Sequence, residues 1–377
     1  MKAFIGGKIV LCDRVECGKA LLFDEKIIGI CDMDEIPSEA ERIDVSGKLV
    51  LPGLIDIHTH GYGGHDCSDG DIGGMRKIAL GLTKNGVTAF CPTTMTLSYD
   101  SIERAFDTAR RERAEFDEKR AFVLGVNCEG PFISEKKKGA QSGEFIRSPD
   151  VGLMERNRDI LRLVTVAPEL EGSLEFIKET AKMGIKVSLG HTDCDFERAM
   201  EAIDAGASHF THLFNAMTPL NHRAPGAVGA ALVSDTYCEL IADTIHVHPG
   251  LFSSVAKAKR DKLVLITDSM RAAGMPDGNY TLGGQAVTVK DGECRLLDGT
   301  LAGSVLRLNE ALRNMASHTD LPLHEIVSMA TLNPAKAVGA DLDRGSIEAG
   351  KRADFAVCDD EFNVKSTYIG GELVFAE

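Results

Sequence analysis

Leu54-Ile55-Asp56-Ile57 runs directly into His58-Thr59-His60. The first four residues are short and mostly apolar, as in a strand buried on both faces. The next three carry two imidazoles one residue apart. Alternate side chains share a face on an extended backbone, so His58 and His60 point the same way. Seven further apolar runs follow: Val87–Cys91, Phe122–Val126, Leu161–Val166, Lys186–Leu189, His209–Leu213, Glu239–Ala242 and Leu263–Ile266. Most of them end, like the first, in unusual polar residues.

Between most of these runs lie segments with apolar residues at three- and four-residue spacing, the period of a helix packed on one side. They are Asp71–Asn85, Ser101–Glu118, Leu174–Lys182, Phe196–Ala205 and Pro249–Lys259. Gly86, Gly184 and Gly206 follow three of them, where a left-handed helix cap favours glycine. Two more helices are expected near Leu306–Ser317 and Leu323–Val338. The alternation predicts an α/β fold, a (β/α)₈ TIM-type barrel over residues 51–344. Residues 1–50 and 345–377 share a strand-and-turn texture and are expected to meet in a small β-sandwich domain. Asn279–Leu301 reads as hairpins after the eighth strand, either a surface excursion or a lid.

Composition narrows the function classes. The chain has 377 residues, 44% hydrophobic and 26% charged, with 42 basic and 57 acidic side chains giving a net charge of -15. Such a field repels nucleic acid and anionic membranes, and a site for a phosphorylated ligand must be built from locally placed donors. The ten cysteines form no CxxC pair and read as reduced thiols. The first ten residues are too broken by glycine for a signal peptide, and no run approaches the roughly 20 apolar residues of a membrane span. A cytoplasmic protein is expected.

The polar residues fall at the strand ends: His58 and His60 after the first run, Glu129 after the third, His191 after the fifth, His212 in the sixth, His246 and His248 after the seventh, Asp268 after the eighth. In a barrel those ends share one rim, where catalytic groups belong. Imidazoles and carboxylates converging there suit zinc or iron(II). Asp268 is open to three roles: ligand, proton acceptor, or cap of a following helix.

At these residues the sequence resembles the amidohydrolase superfamily, and within it the branch that deacetylates N-acetylated amino-sugar phosphates. The matching motifs are Pro52-Gly53-Leu54-Ile55-Asp56-Ile57-His58-Thr59-His60-Gly61, Glu129-Gly130-Pro131-Phe132, Gly190-His191-Thr192 and Thr211-His212-Leu213-Phe214-Asn215-Ala216-Met217. His246-Val247-His248-Pro249, Thr267-Asp268 and Leu301-Ala302-Gly303-Ser304 complete the set. A bridging lysine after the fourth strand, expected of a general superfamily member, is replaced by Ala167-Pro168-Glu169, and Glu129 takes its place as the bridge.

The resemblance implies that Glu129, His191 and His212 hold a catalytic metal, with Asp268 as general base and acid. Members that lack the first histidine pair use one metal. This chain keeps His58 and His60, so the resemblance leaves open one metal or two per subunit, a second sharing Glu129 and Asp268. Ala140, Gln141, Asn215, Ala216, Arg223, His246, Leu301, Ala302 and Gly303 would contact the substrate. Gln141 stands where many members place a carbonyl-polarising histidine. Arg223 would reach the partner's site in a homodimer. The implied reaction is hydrolysis of the acetamide of N-acetylglucosamine 6-phosphate. The alternatives are the galactosamine isomer, a dihydroorotase-like or deaminating reaction, and a non-catalytic scaffold on the same barrel.

Overall fold

The computed structural model describes residues 1–377. At its centre eight parallel strands run in sequence order: β1 Leu54–Thr59, β2 Val87–Thr94, β3 Val126–Glu129, β4 Leu161–Val166, β5 Lys186–Leu189, β6 His209–Phe210, β7 Tyr237–Ile241 and β8 Leu263–Ile266. Their apolar side chains are almost all buried, because neighbouring strands cover them on one face and helices on the other. The seam between β8 and β1 is closed by the residues just beyond the strands. Asp268 N–H donates to His58 O at 2.9 Å, and His60 N–H donates to Ser269 O at 2.8 Å. Lower in the seam the Thr267 hydroxyl donates to Asp56 Oδ2 at 2.6 Å. The closure sets Asp268 directly beside the two histidines of β1.

One expected strand is split and another is cut well short. The third run splits at Gly125 (φ +149°), where a side chain would press within 2.5 Å of Ile160 O. Phe122–Val123 then pairs low on β2 while β3 pairs higher up. β6 stops at Phe210, three residues early, because the backbone turns over at His212 (φ +28°). The expected helices form, with the last divided into Leu323–Ser328 and Leu332–Val338. Val151–Arg156 and Gly226–Val233 are additional helices. No helix is long and apolar enough to cross a membrane.

The two ends of the chain meet in a small β domain. Leu49–Pro52 pairs with Lys8–Val10 on one side and with Phe355–Cys358 on the other, inside a six-stranded sheet. A four-stranded sheet built from Lys2–Ile5, Lys19–Phe23, Ile27–Asp32 and Glu41–Asp44 lies against it. Between them Phe4, Phe23, Phe355 and Tyr368 pack with ring centroids 4.6 to 6.3 Å apart, mostly edge to face. The insertion after β8 is a three-stranded antiparallel sheet of Gly278–Leu282, Gln285–Lys290 and Glu293–Leu296. It rests on the rim, where Gln285 donates to Ala140 O.

Candidate metal centre

Six side chains converge at the rim in two groups, His58, His60 and Asp268 beside Glu129, His191 and His212. Glu129 faces both. Its Oε1 lies 3.2 Å from His191 Nε2, 3.0 Å from His212 Nε2 and 3.4 Å from His58 Nε2. Its Oε2 lies 3.3 Å from His60 Nε2 and accepts from Gln141 Nε2 at 2.6 Å. Asp268 Oδ1 is 3.2 Å from His60 Nε2 and 3.6 Å from His58 Nε2. No helix follows Asp268, so the cap role is ruled out.

The strand ends explain how these side chains turn inward. His191, His212 and Asp268 adopt positive φ of 46°, 28° and 48°. Such left-handed geometry costs a non-glycine residue roughly 1–3 kcal/mol and survives where the surroundings enforce it. Each residue therefore leaves its strand sharply and aims its side chain across the mouth.

The donor set fits a divalent cation. Three imidazoles are fixed through the outer nitrogen: His58 Nδ1 lies 2.9 Å from Glu239 Oε2, His60 Nδ1 3.3 Å from Thr93 O and His191 Nδ1 2.8 Å from Lys137 O. Since the partners are acceptors, Nδ1 carries the proton and the Nε2 lone pair faces the centre. His191 Nε2 and His212 Nε2 then sit 3.1 Å apart with Glu129 Oε1 against both. His212 Nδ1 has no hydrogen-bond partner, so nothing within the protein fixes its tautomer; a cation shared by the three facing atoms would. His58 Nε2 is buried without a hydrogen-bond partner.

Electrostatics agree. Burial opposes charge on His58, but Glu239, Glu129 and Asp268 outweigh it and lift the group to about 9. His60 is likewise driven well above its ordinary value, against its burial, by Asp268 and Glu129. Burial also penalises the Glu129 carboxylate, yet His58, His191 and His212 hold it well below the usual carboxylate range. A field that retains protons on buried imidazoles is one that attracts a metal cation.

The cavity above these groups measures about 340 Å³. Ala140, Gln141, Asn215, Ala216, His246, Leu301 and Gly303 line it. Ala302 does not; it is buried in the apolar cluster of the hairpin insertion. Arg223 lies in a separate cleft with Asn221 and Pro225, exposed and bonded to His222. The backbone N–H of Asn215 donates to His212 O at 3.0 Å because the chain turns there. His246 is held by Asp243, with Nδ1 2.6 Å from Oδ2. His248 caps the next turn instead, accepting from Gly250 N–H.

Lys136, Lys137 and Thr300 also line the cavity and were not anticipated, since a run of lysines reads as a solvated loop. Glu239 was not anticipated either. Its signal was a carboxylate inside the apolar run of β7. Cys91, Cys128 and Cys194 are buried, and burial pushes each thiol to about 12, so they take no part in nucleophilic chemistry.

A parallel barrel whose strand ends gather imidazoles and carboxylates around a cation site defines a metal-dependent hydrolase. The amidohydrolase family matches residues 49–374, and the chain belongs to that family. It is 41% identical to the N-acetylglucosamine-6-phosphate deacetylase of Bacillus subtilis (strain 168) over 87% of this chain and 85% of that one. It is 37% identical to the N-acetylgalactosamine-6-phosphate deacetylase of Escherichia coli O157:H7, covering 91% and 92%. The crystal structure of N-acetylglucosamine-6-phosphate deacetylase from Pasteurella multocida superposes with a TM-score of 0.95 at 34% identity, each chain covered in full.

Proposed function

We propose that this chain hydrolyses the N-acetyl group of N-acetylglucosamine 6-phosphate, giving glucosamine 6-phosphate and acetate in the cytoplasm. The observation that carries the reading is the pairing of Glu129 with both histidine groups beneath a polar cavity, in a chain 41% identical to a deacetylase of that substrate. Glu129, His191 and His212 would hold one zinc or iron ion, and His58 and His60, sharing Glu129, a second. Such an ion supplies Lewis acidity and makes water a competent nucleophile near neutral pH.

The chain's own groups do the rest. Asp268, beside His60 and open to the cavity, accepts the proton of the attacking water and returns it to the departing amine. His246, set by Asp243, and the Ala216 and Gly303 segments orient the sugar phosphate. Lys136 and Lys137 at the cavity edge, which share Asp193 between them, supply one net local positive charge for the anion in a protein of net charge -15.

Acetate release from N-acetylglucosamine with and without the 6-phosphate tests the reading; equal rates would refute a phosphate-specific site. The galactosamine isomer is the second reading, favoured by the relative from Escherichia coli O157:H7. Competition between the two sugar phosphates separates them.

Arg223, outside its own chain's cavity, fits a homodimer in which it serves the neighbouring site. Mixing Arg223→Ala with Asp268→Asn subunits checks this. Activity restored in the mixture supports the shared site, and activity no better than either parent counts against it.

A further inference from the structure

Glu239 is a carboxylate in the middle of β7, fully buried, whose only ion-pair partner is His58. One oxygen, Oε2, serves both metal groups. It accepts from His58 Nδ1 at 2.9 Å and from the backbone N–H of His212 at 3.1 Å. The other, Oε1, is buried with no hydrogen-bond partner. A buried carboxylate left half satisfied is costly unless positive charge stands near it. Across the His58 ring, Nε2 faces the Glu129 and Asp268 carboxylates, the position where a cation would supply that charge.

We propose that Glu239 is the positioning residue that makes His58 a metal ligand. It holds the proton on Nδ1, so that Nε2 presents its lone pair. It fixes the ring plane, and it adds a third negative charge beside Glu129 and Asp268 to balance two divalent cations. Through His212 N–H it also ties β6, which carries a ligand of the other group, to the same carboxylate. The proposal rests on the two-cation reading above, and it explains why a strand otherwise apolar spends a buried carboxylate at this level of the barrel.

Two measurements test it on the full-length protein. In histidine labelled with nitrogen-15, wild type should show a slowly exchanging Nδ1 proton of His58, assigned by its absence in His58→Asn. Glu239→Gln, which keeps an acceptor oxygen, should retain the resonance, and Glu239→Leu should lose it. Zinc titration against a competing chelator should give two equivalents for wild type. The second should bind roughly 10–100-fold more weakly in Glu239→Leu, the usual cost of losing a group that orients a ligand. Glu239→Gln, lacking only the charge, should fall at the lower end of that range.

A Glu239→Leu protein with the resonance and both zinc affinities intact overturns the proposal. Should that variant not fold, Glu239→Gln decides, and an unweakened second equivalent overturns it. A wild-type protein that takes one zinc refutes the two-cation reading instead, and the His58 proton then judges Glu239 alone.

Discussion

Glu129 Oε2 accepts a 2.6 Å hydrogen bond from the side-chain amide of Gln141, whose own oxygen accepts from Thr96 N–H at 2.7 Å. The amide is thus engaged at both ends, orienting the carboxylate that faces both histidine groups. Gln141→Ala would leave Thr96 N–H buried without an acceptor, at a cost of about 1–3 kcal/mol. It would also free Glu129 to rotate, weakening metal binding roughly 10–100-fold. Thermal unfolding and zinc titration of the variant check both effects; wild-type values in each would mean the contact is incidental.

Asp268→Asn removes the proton acceptor while keeping size and shape. Loss of about 10²–10⁴-fold in turnover is expected, with the metal at Glu129, His191 and His212 and the fold retained. Steady-state kinetics, metal analysis and circular dichroism on one preparation decide it. Near-normal turnover would remove Asp268 from the mechanism.

Chelation should abolish activity, and the number of equivalents that restores it reports on the two groups. With both occupied, recovery should continue past the first equivalent to a second. Full recovery at one equivalent would confine the chemistry to a single group.

His209 offers a pH test away from the metal groups. It is buried at the base of β6, stacked on Tyr237 with centroids 5.1 Å apart, and its Nε2 has no partner. Burial, aided by Lys186 and Lys262, lowers its pKa to about 3. The unfolded chain, near 6.5, binds the proton first as pH falls, so this residue's contribution is complete above that value and drains away towards about 3. Its share is about 2 kcal/mol less stability at pH 5 than at pH 7. His209→Phe should reduce the slope of unfolding free energy between those pH values; an unchanged slope would place the titration elsewhere.

The barrel and its rim were legible because burial and chemistry are segregated along each strand. Apolar residues fill the lower levels, and the polar ones cluster at the C-terminal ends, so His58, His60, Glu129, His191, His212 and Asp268 could be read from position alone. Glu239 escaped because it breaks that segregation, sitting in mid-strand where its role depends on a neighbour 181 positions away. The helix Gly226–Val233 escaped for the opposite reason. Gly226 through Ala231 are all buried, so no polar face marks the helical period. The division of the third run turned on one glycine whose crowding by Ile160 comes from another part of the chain.

The sheet that joins the two ends of the chain sets an order of events during synthesis. Leu49–Pro52 emerges from the ribosome early, yet one of its two neighbours, Phe355–Cys358, is translated some three hundred residues later. At a typical 5–20 residues per second, that edge waits on the order of tens of seconds for its partner. During the wait the barrel strands can associate in the order they are made, while Phe4 and Phe23 have no Phe355 or Tyr368 to pack against. Until Phe355–Cys358 emerges, the nascent chain carries an unpaired, apolar strand edge, the kind of surface on which chaperone capture or misassembly begins.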